Sequence, residues 1–567
     1  MSDAVAMTSE LRRIIALPRR THEDFAGLAD DLTEVLKTPK GTMRLRPVQA
    51  LALHDIGTHR GAFLPVGVGE GKTLIFALAA YLLEADPVLG LLPAGLIQKT
   101  QRELEILSEH WRIPTNLRLF SYDMLGRASA AKEIEDWAPT AIIADEVHRL
   151  KNLSAACTKR VARYMAAHPR TAFVGMSGTI MRDSIYDFAH ILFWALKENA
   201  PLPMQPHELA DWASALDEIK KGKPGEEYTR TEPGALLALC SPEERAEETV
   251  VAARRGFRRR LVETPGVVAA AGEGENVGAS IYVKGIVYDV APITNEHFQT
   301  LRDAWERPDG KQFEEGVEVW ACARQLAAGL HYEWDPMPPE PWMLARKAWG
   351  KFVRGVLSRS HTLDSPQVVV DAIDAGKLRD EGGVLKSWRA IRHTFRPHSV
   401  PRWHDESVLE LAAKWARSPG IVWTEHGFFG RRLARETGIP YYGAKGTSAS
   451  GEYIEDSTSK TIIASIDANR DGKNLQHKWA RNLIISPPDG WDVWQQCIAR
   501  THRPGQLADE VVVDVLLGCR EHLSAWRKAM AGTHAAVDTV GGTPKLLLAD
   551  INFPTEAELF GLRGARW

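Results

Sequence analysis

At 567 residues the chain is longer than one hydrophobic core serves, so it should divide into several domains. Hydrophobic residues at 44% and charged residues at 25% are the proportions of a globular protein and exclude a tail or a fibre. The formal net charge of −3 argues against a histone-like role and requires any nucleic-acid partner to be met by a local basic surface.

Residues 1–40 predict a helical lead-in, with Phe25, Leu28, Leu32, Val35 and Leu36 at helical spacing before Pro39 and Gly41 stop it. Glu10, Arg12 and Arg13 place charge where a signal peptide needs an apolar core. Leu45-Arg46-Pro47-Val48-Gln49 comes next. Ahead of a phosphate-binding loop the Gln49 carboxamide can pair with a purine edge; otherwise it is a solvated helix residue, and nucleotide contact is the expectation.

That loop is Gly67-Val68-Gly69-Glu70-Gly71-Lys72-Thr73, between the apolar run Gly61 to Val66, read as a strand, and the apolar stretch Leu74 to Leu83, read as a helix. Backbone N–H groups of such a loop cradle phosphates, Lys72 reaches the terminal ones, and the Thr73 hydroxyl can hold Mg²⁺. The strict pattern asks for glycine where Val66 stands; the Gly69-x-Gly71-Lys72-Thr73 half is intact. Leu74 to Leu83 is too short to span a bilayer, so no membrane partner and a cytoplasmic location are expected.

Val88 to Leu92 reads as a buried strand, followed by a helix through Leu96, Thr100 and Leu104 and a strand from Leu117 to Tyr122. Alternating strand and helix imply a parallel sheet covered on both faces, with ligands at the carboxyl ends of its strands. Ala141-Ile142-Ile143-Ala144-Asp145-Glu146-Val147-His148 then delivers two carboxylates to that edge. Asp145 can hold a Mg²⁺ shell and Glu146 can orient and deprotonate water, because phosphoryl transfer needs mainly positioning and charge neutralisation. A further strand, Thr171 to Met176, ends in Ser177-Gly178-Thr179, whose hydroxyls either relay the state of the site or cap the next helix.

Asp145 to Asn152, with Arg46-Pro47-Val48-Gln49 before it and Ser177-Gly178-Thr179 after, resembles the Asp-Glu-x-His (DEAH-box-type) ATPases of helicase superfamily 2. The extension Arg149-Leu150-Lys151-Asn152 points to the Swi/Snf-like branch.

Residues 197–265 interrupt the α/β rhythm with helices and loops, Pro224-Gly225 among them. Arg254, Arg255, Arg258, Arg259 and Arg260 either meet a phosphate backbone or form a solvated face. Val267 to Gly278, rich in Gly, Ala and Glu, is the expected hinge or exposed loop. Ile281 to Val290 alternates like a strand, Asn295 to Ala327 is helical by spacing, and Trp334 to Pro339 breaks the chain before another helix from Trp342 to Leu357. Trp305, Trp320, Trp342, Trp349, Trp388 and Trp403 in this region are expected to pack between helices rather than stack on bases. Helical protrusions sit at comparable places in Swi/Snf-like proteins, a match of position and not of residues.

The α/β pattern resumes at Gly420 to Thr424, Lys460 to Ser465 and Asn482 to Ser486. Arg500 and Arg503, three apart in Gln496 to Gln506, would share one face of a helical turn. Such a pair is commonly a solvated face, but each arginine can stabilise charge on a transferred phosphoryl group. Gly472-Lys473-Asn474-Leu475-Gln476 and Gln496 to Gln506 resemble the paired motifs of the second lobe in Swi/Snf-like ATPases, with Ala499 where many relatives carry glycine or aspartate. The cysteines Cys157, Cys240, Cys322, Cys497 and Cys519 lie far apart, which indicates neither a zinc ribbon nor a disulfide framework. Phe553, Phe560 and Trp567 suggest a tail packed back on the body.

The resemblance is dense in motifs over residues 44–196 and 420–516. It implies an α/β fold of two RecA-like parallel-sheet lobes with helical insertions: a lead-in (1–40), lobe 1 (41–196), a helical insertion and linker (197–279), the start of lobe 2 with its insertion (280–415), lobe 2 (416–520) and a tail (521–567). ATP and Mg²⁺ would be held by Gln49, Gly69, Gly71, Lys72, Thr73, Asp145, Glu146 and Gln496, with Thr73 and Asp145 on the metal and Arg500 and Arg503 arriving when the lobes close. His148, Ser177, Thr179, Gly472 and Asn474 would couple the site to nucleic acid or touch it. The implied activity is that of a DNA-stimulated ATPase translocating on duplex DNA, with DNA favoured over RNA and protein partners possible. A strand-separating helicase and a nucleotide-dependent switch that does not travel are the alternatives.

Overall fold

The computed structural model describes residues 4–20, 25–67, 70–218, 230–269, 277–360, 362–555 and 558. The chain forms two compact units, one of Met1–Glu273 with Ala531–Pro544, the other of Gly274–Met530 with Lys545–Trp567. Each is built on a parallel sheet, so the α/β expectation holds for both.

In the first unit, β1 (Gly61–Leu64), β2 (Val88–Leu92), β3 (Leu117–Ser121), β4 (Ala141–Asp145) and β5 (Ala172–Met176) form a sheet in the order β1-β5-β4-β2-β3, all parallel. β1, β2 and β5 are buried along their whole length, as continuous apolar runs require when helices cover both faces. Ala62, Leu64, Ile143, Val174 and Met176 share a core with Ala50, Leu53 and Ile56 of the helix Pro47–His59 and with Ile75, Phe76, Leu78 and Ala79 of the helix Lys72–Leu82. The alternate residues Phe63 and Phe173 face the helix Tyr186–Leu196, with ring centroids 5.7 Å from Phe188 and 5.3 Å from Trp194. Gly61 permits this close packing, since a Cβ there would stand 2.3 Å from the Ala195 carbonyl oxygen.

The register sets up the chemistry. Leu64 and Asp145 both pair with Met176, so β1, β4 and β5 end at one level and the residues that follow them emerge side by side.

Two expectations change in this unit. Val267 and Val268, expected in a hinge, are 1% and 2% exposed, and Val267 bridges the open edge of β1 at Phe63; residues 270–276 of that segment lie outside the described residues. The arginine cluster on the helix Thr249–Val262 turns inward. Arg260, 1% exposed, donates to the carbonyls of Leu17 and Pro18, Arg254 to that of Leu216, and Arg258 to that of Val537, while Arg255 pairs with Glu247 and Asp538 and Arg259 with Glu244. Guanidinium forks spent on backbone carbonyls and nearby carboxylates leave Arg254 and Arg260 buried and Arg255, Arg258 and Arg259 half-buried. Pro224-Gly225 lies outside the described residues.

The second unit carries β6 (Ser280–Val287), β7 (Leu330–Trp334), β8 (Ser399–Trp403), β9 (Gly420–Thr424), β10 (Tyr441–Tyr442), β11 (Thr461–Ser465), β12 (Arg481–Ile484), β13 (Glu510–Leu517) and β14 (Ala549–Asn552). Seven of them form a parallel sheet in the order β10-β11-β9-β12-β13-β6-β14. Val422, Ile463, Leu483 and Leu516 of this sheet pack with Val408, Leu409, Phe429 and Leu433 of the helices Ser407–Trp415 and Gly427–Thr437. The segment expected as a tail is more than that: it continues the helix Arg520–Val540 and then supplies β14 to the sheet edge beside β6, with Phe553 stacked on Trp526 at 4.1 Å. Phe560 and Trp567 lie outside the described residues.

β7 and β8 pair antiparallel and carry between them the helices Glu340–Arg359, Pro366–Asp374 and Val384–Ile391. Trp342, 3% exposed, packs edge-on to Trp334, Trp388 and Phe395 at 6.1, 5.5 and 5.2 Å and anchors this insertion. Trp305 departs from the packing expectation at 43% exposed.

Candidate active site

The site in the first unit starts from three strand ends at one level. After β1 the chain passes through Pro65, Val66 and Gly67 and, beyond the undescribed Val68 and Gly69, reaches Gly71 at φ 75°, which caps the helix Lys72–Leu82. The positive φ favours glycine there, and a Cβ would also lie 2.2 Å from Gln49 Nε2, displacing that carboxamide. Lys72 and Thr73 thus open the first turn of a helix whose N-terminal amides face the sheet edge, a favourable place for an anion.

From β4, Asp145 ends the strand and Glu146 follows in the left-handed region at φ 52°. That conformation is uncommon outside glycine, and the Asp145 Oδ1 acceptance of the Glu146 N–H at 3.0 Å helps hold it. Lys72 Nζ lies 3.1 Å from Glu146 Oε1. From β5, Ser177 Oγ donates to Glu146 Oε2 at 3.0 Å and sits 2.8 Å from His148 Nδ1. Ser177 Oγ also accepts the Thr179 N–H at 3.2 Å, and the Thr179 hydroxyl is 3.5 Å from His148 Nδ1. The next helix begins only at Tyr186, so Ser177 and Thr179 do not cap it; of the two expectations for them, only the network around Glu146 has geometry behind it.

The electrostatics separate the two carboxylates. Burial raises the Asp145 pKa to about 6, aided by the adjacent Glu146 charge and opposed by Lys72. Burial also acts against the Glu146 anion, but the Lys72 ammonium and the His148 contact outweigh it and hold Glu146 well below the usual carboxylate range. Asp145 is therefore a half-buried acid that a cation would ionise, and Glu146 is ionised with a counter-ion at hand. Glycine and helix amides, one lysine, one hydroxyl and a half-buried carboxylate are the donor set that could hold a polyphosphate with a divalent cation.

Gln49 is 5% exposed, and its carboxamide is engaged within the chain: Nε2 donates to the carbonyls of Glu70 and Gly71 at 3.3 Å, and Oε1 accepts the Arg46 N–H at 2.9 Å. In this structure it ties the loop to the first turn of the helix Pro47–His59. Tyr122, which sequence reasoning passed over, donates its hydroxyl to the Asp145 carbonyl oxygen at 2.6 Å. Burial, with Asp145 and Glu146 adding to it, pushes the Tyr122 pKa well above the ordinary phenol value, so it stays a donor. Its position directly after β3, at the carboxyl edge of the sheet, was the available signal.

In the second unit the helix Trp491–Ile498 ends before the two arginines, so they do not share a helical face; Pro504 and Gly505, at φ 89°, keep the chain in turns. They converge all the same on one backbone oxygen. Arg500, 3% exposed, donates to the carbonyls of Gln496 at 2.9 Å and Lys473 at 3.0 Å, and Arg503 donates to the Lys473 carbonyl at 3.4 Å and to Asn474 Oδ1 at 2.6 Å. Gly472, at φ 63°, turns the chain so that the Lys473 carbonyl meets both guanidiniums. Gln496 is 4% exposed, and its Oε1 has no hydrogen-bond partner among the described residues.

Among the described residues, one group could hold a metal by proximity alone: Asp309, His331 and Glu333, whose ligand atoms lie within 4.8 Å of one another. Arg307 and Arg402 already grip its two carboxylates. All five cysteines are free. No described helix is long and apolar enough to cross a membrane.

No protein-family model matches the chain, and no curated protein matches it. The reading of the site rests on its own residues.

Proposed function

We propose that the chain is an ATP-hydrolysing nucleic-acid motor of the Swi/Snf-like kind, a DNA-stimulated ATPase that translocates on duplex DNA by cyclic closure of two RecA-like lobes. The observation that supports it best is the meeting of Lys72, Glu146, Ser177 and His148 at the ends of three adjacent parallel strands, beside a helix N-terminus and a half-buried Asp145.

On this reading Gly69, Gly71 and Lys72 hold the phosphates of ATP, and Thr73 and Asp145 hold Mg²⁺; Gly69 lies outside the described residues. Bound ATP supplies the phosphoanhydride bond whose hydrolysis drives the cycle. The protein's part is positional and electrostatic. Lys72 leaves Glu146 for the anionic phosphates, Glu146 Oε1 loses its counter-ion, and its proton affinity rises toward what a general base needs. Ser177 Oγ keeps the carboxylate oriented while it takes a proton from the attacking water. Arg500 and Arg503 stabilise the charge that builds on the transferred group, and Gln496 stands beside them.

The deciding experiment measures ATP hydrolysis by the full chain with no nucleic acid, duplex DNA, single-stranded DNA and RNA. Stimulation by duplex DNA, joined by ATP-dependent displacement of a triplex strand, is the expected result. Rates indifferent to every nucleic acid would overturn the reading.

A further inference from the structure

The charge of the chain is unevenly placed. Residues 340–398, between β7 and β8, carry eleven Lys and Arg against six Asp and Glu, in a protein whose formal net charge is −3. The acidic side chains there are largely engaged within the insertion. Asp374 makes two hydrogen bonds to Arg389 at 2.7 and 2.6 Å, Asp371 accepts from Gln367 at 2.8 Å, Asp380 accepts the N–H groups of Leu385 and Lys386, and Asp364 is 4% exposed. Glu340 and Glu381 also face outward, but exposed cations outnumber them. Lys351, Arg354, Lys386, Arg392 and Arg396 are exposed, and none of these side chains makes an ion pair or hydrogen bond among the described residues.

Their arrangement is ordered. Lys347, which pairs with Glu314 at 3.2 Å, and the unpaired Lys351 and Arg354 recur at helical spacing on one face of Glu340–Arg359, rising about 10 Å along the axis, while Trp342 and Val353 bury another face of the same helix. That rise spans about three successive phosphates of one strand at about 3.4 Å each. Trp342 also donates to the Arg392 carbonyl oxygen, which fixes the segment bearing Arg392 and Arg396 against the same helix. The aromatic side chains are occupied by packing on one another, so the exposed face offers charge rather than rings for stacking. Unpaired long cations on a rigid, aromatic-pinned support match a regular ladder of negative charge.

We propose that this insertion is a phosphate-backbone grip for duplex nucleic acid, formed by Lys351, Arg354, Lys386, Arg392 and Arg396. It rests on the reading of the chain as a nucleic-acid motor and names a surface, within the second unit alone, that holds the track without reading its sequence.

The test uses the full chain and a labelled random-sequence duplex of about 30 base pairs, with affinity measured by fluorescence anisotropy between about 50 and 200 mM KCl. The variant Lys351→Ala/Arg354→Ala/Lys386→Ala/Arg392→Ala/Arg396→Ala should bind at least about 30-fold more weakly near 100 mM and flatten the slope of log affinity on log salt by about 4, at about 0.9 for each phosphate no longer neutralised. Hydrolysis in the absence of DNA should be unchanged, because the substituted side chains are exposed and touch nothing in the candidate site. A control, Lys414→Ala/Arg417→Ala/Arg435→Ala/Lys460→Ala, removes four exposed charges elsewhere in the unit and should retain affinity to within about 3-fold. If the wild type binds and is stimulated by DNA while the insertion variant keeps its affinity and slope, the grip is overturned and the motor reading stands. An equal loss in the control also overturns the grip, since bulk charge would then be the cause. If the wild type neither binds nor responds to any nucleic acid, both fall.

Discussion

Lys72 and Glu146 face one another at 3.1 Å, with Ser177 on the second carboxylate oxygen at 3.0 Å. The lysine that would meet phosphate therefore holds the carboxylate that would activate water. While they are paired, Glu146 is ionised but a poor base, because the ammonium stabilises the charge that protonation would remove. On the proposed reading, turning Lys72 toward an anion would couple ligand arrival to activation of the base.

Lys72→Ala and Glu146→Gln should fail differently. Without Lys72 the site loses its cation for the phosphates, so ATP binding weakens and hydrolysis disappears. Glu146→Gln keeps the shape and a partner for Ser177 but cannot accept a proton, so ATP binding is retained while turnover falls by about 100-fold or more. Titrating a fluorescent ATP analogue and measuring phosphate release on the same samples separates the two. Wild-type turnover in either variant would contradict the assignments.

Ser177→Ala removes the hydroxyl that joins Glu146 to His148 and accepts the Thr179 N–H. The carboxylate keeps Lys72 but loses its orientation on the other oxygen. We expect kcat to fall by about 10-fold with nucleotide affinity little changed, the signature of a positioning residue. A matching loss of affinity would place Ser177 on the ligand instead.

Much of this site was legible from residue order, because the parallel strands are short apolar runs and the groups that follow them differ in kind: Lys72-Thr73, Asp145-Glu146, Ser177. What residue order could not show was the register that brings Leu64, Met176 and Asp145 level, since pairing between β1 and β5 joins residues far apart in the chain. The hold of Gln49 on the loop was hidden for a related reason: its reach to the Glu70 and Gly71 carbonyls depends on the left-handed turn at Gly71. The arginine cluster was ambiguous because a charge run looks the same in sequence whether its partners are water or the carbonyls of Leu17, Pro18 and Leu216. β14 escaped notice because four residues, Ala549–Asn552, of mixed polarity at a sheet edge carry no strong alternation.

Arg500 and Arg503 share the Lys473 carbonyl but differ in burial, and the difference is measurable. Arg503→Ala should lower turnover far more than nucleotide affinity and leave stability nearly unchanged. Arg500→Ala empties a buried position and strips donors from two carbonyls, which should cost roughly 2–4 kcal/mol in urea denaturation as well as turnover. Equal stability of the two variants would show that burial of Arg500 is not what distinguishes them.

Arg260→Ala tests the inward reading of the arginine cluster. Its guanidinium, 1% exposed, donates to Leu17, Pro18 and Thr264, so the variant should lose roughly 2–4 kcal/mol of stability while binding duplex DNA as the wild type does. An intact stability with weakened DNA binding would return the cluster to the phosphate-contact role.

Acid should weaken the second unit through its buried histidines. Burial lowers the His502 pKa to about 4, and the nearby Lys545 charge acts in the same direction, while Nε2 donates to the Ala279 carbonyl oxygen at 2.7 Å. An unfolded histidine titrates near 6.5, so below that pH the unfolded chain binds a proton that the folded chain refuses. Stability from this group is complete above about 6.5 and is lost as pH falls toward 4, reaching a loss of about 2 kcal/mol at pH 5. His502→Gln keeps an amide donor for Ala279 and has no proton to gain. Other groups titrate over the same range, so the quantity to measure is the difference between the two proteins: between pH 7.5 and 5 the variant should lose about 2 kcal/mol less than the wild type in urea denaturation. Parallel losses would mean that His502 is protonated as readily in the folded unit as in the unfolded chain.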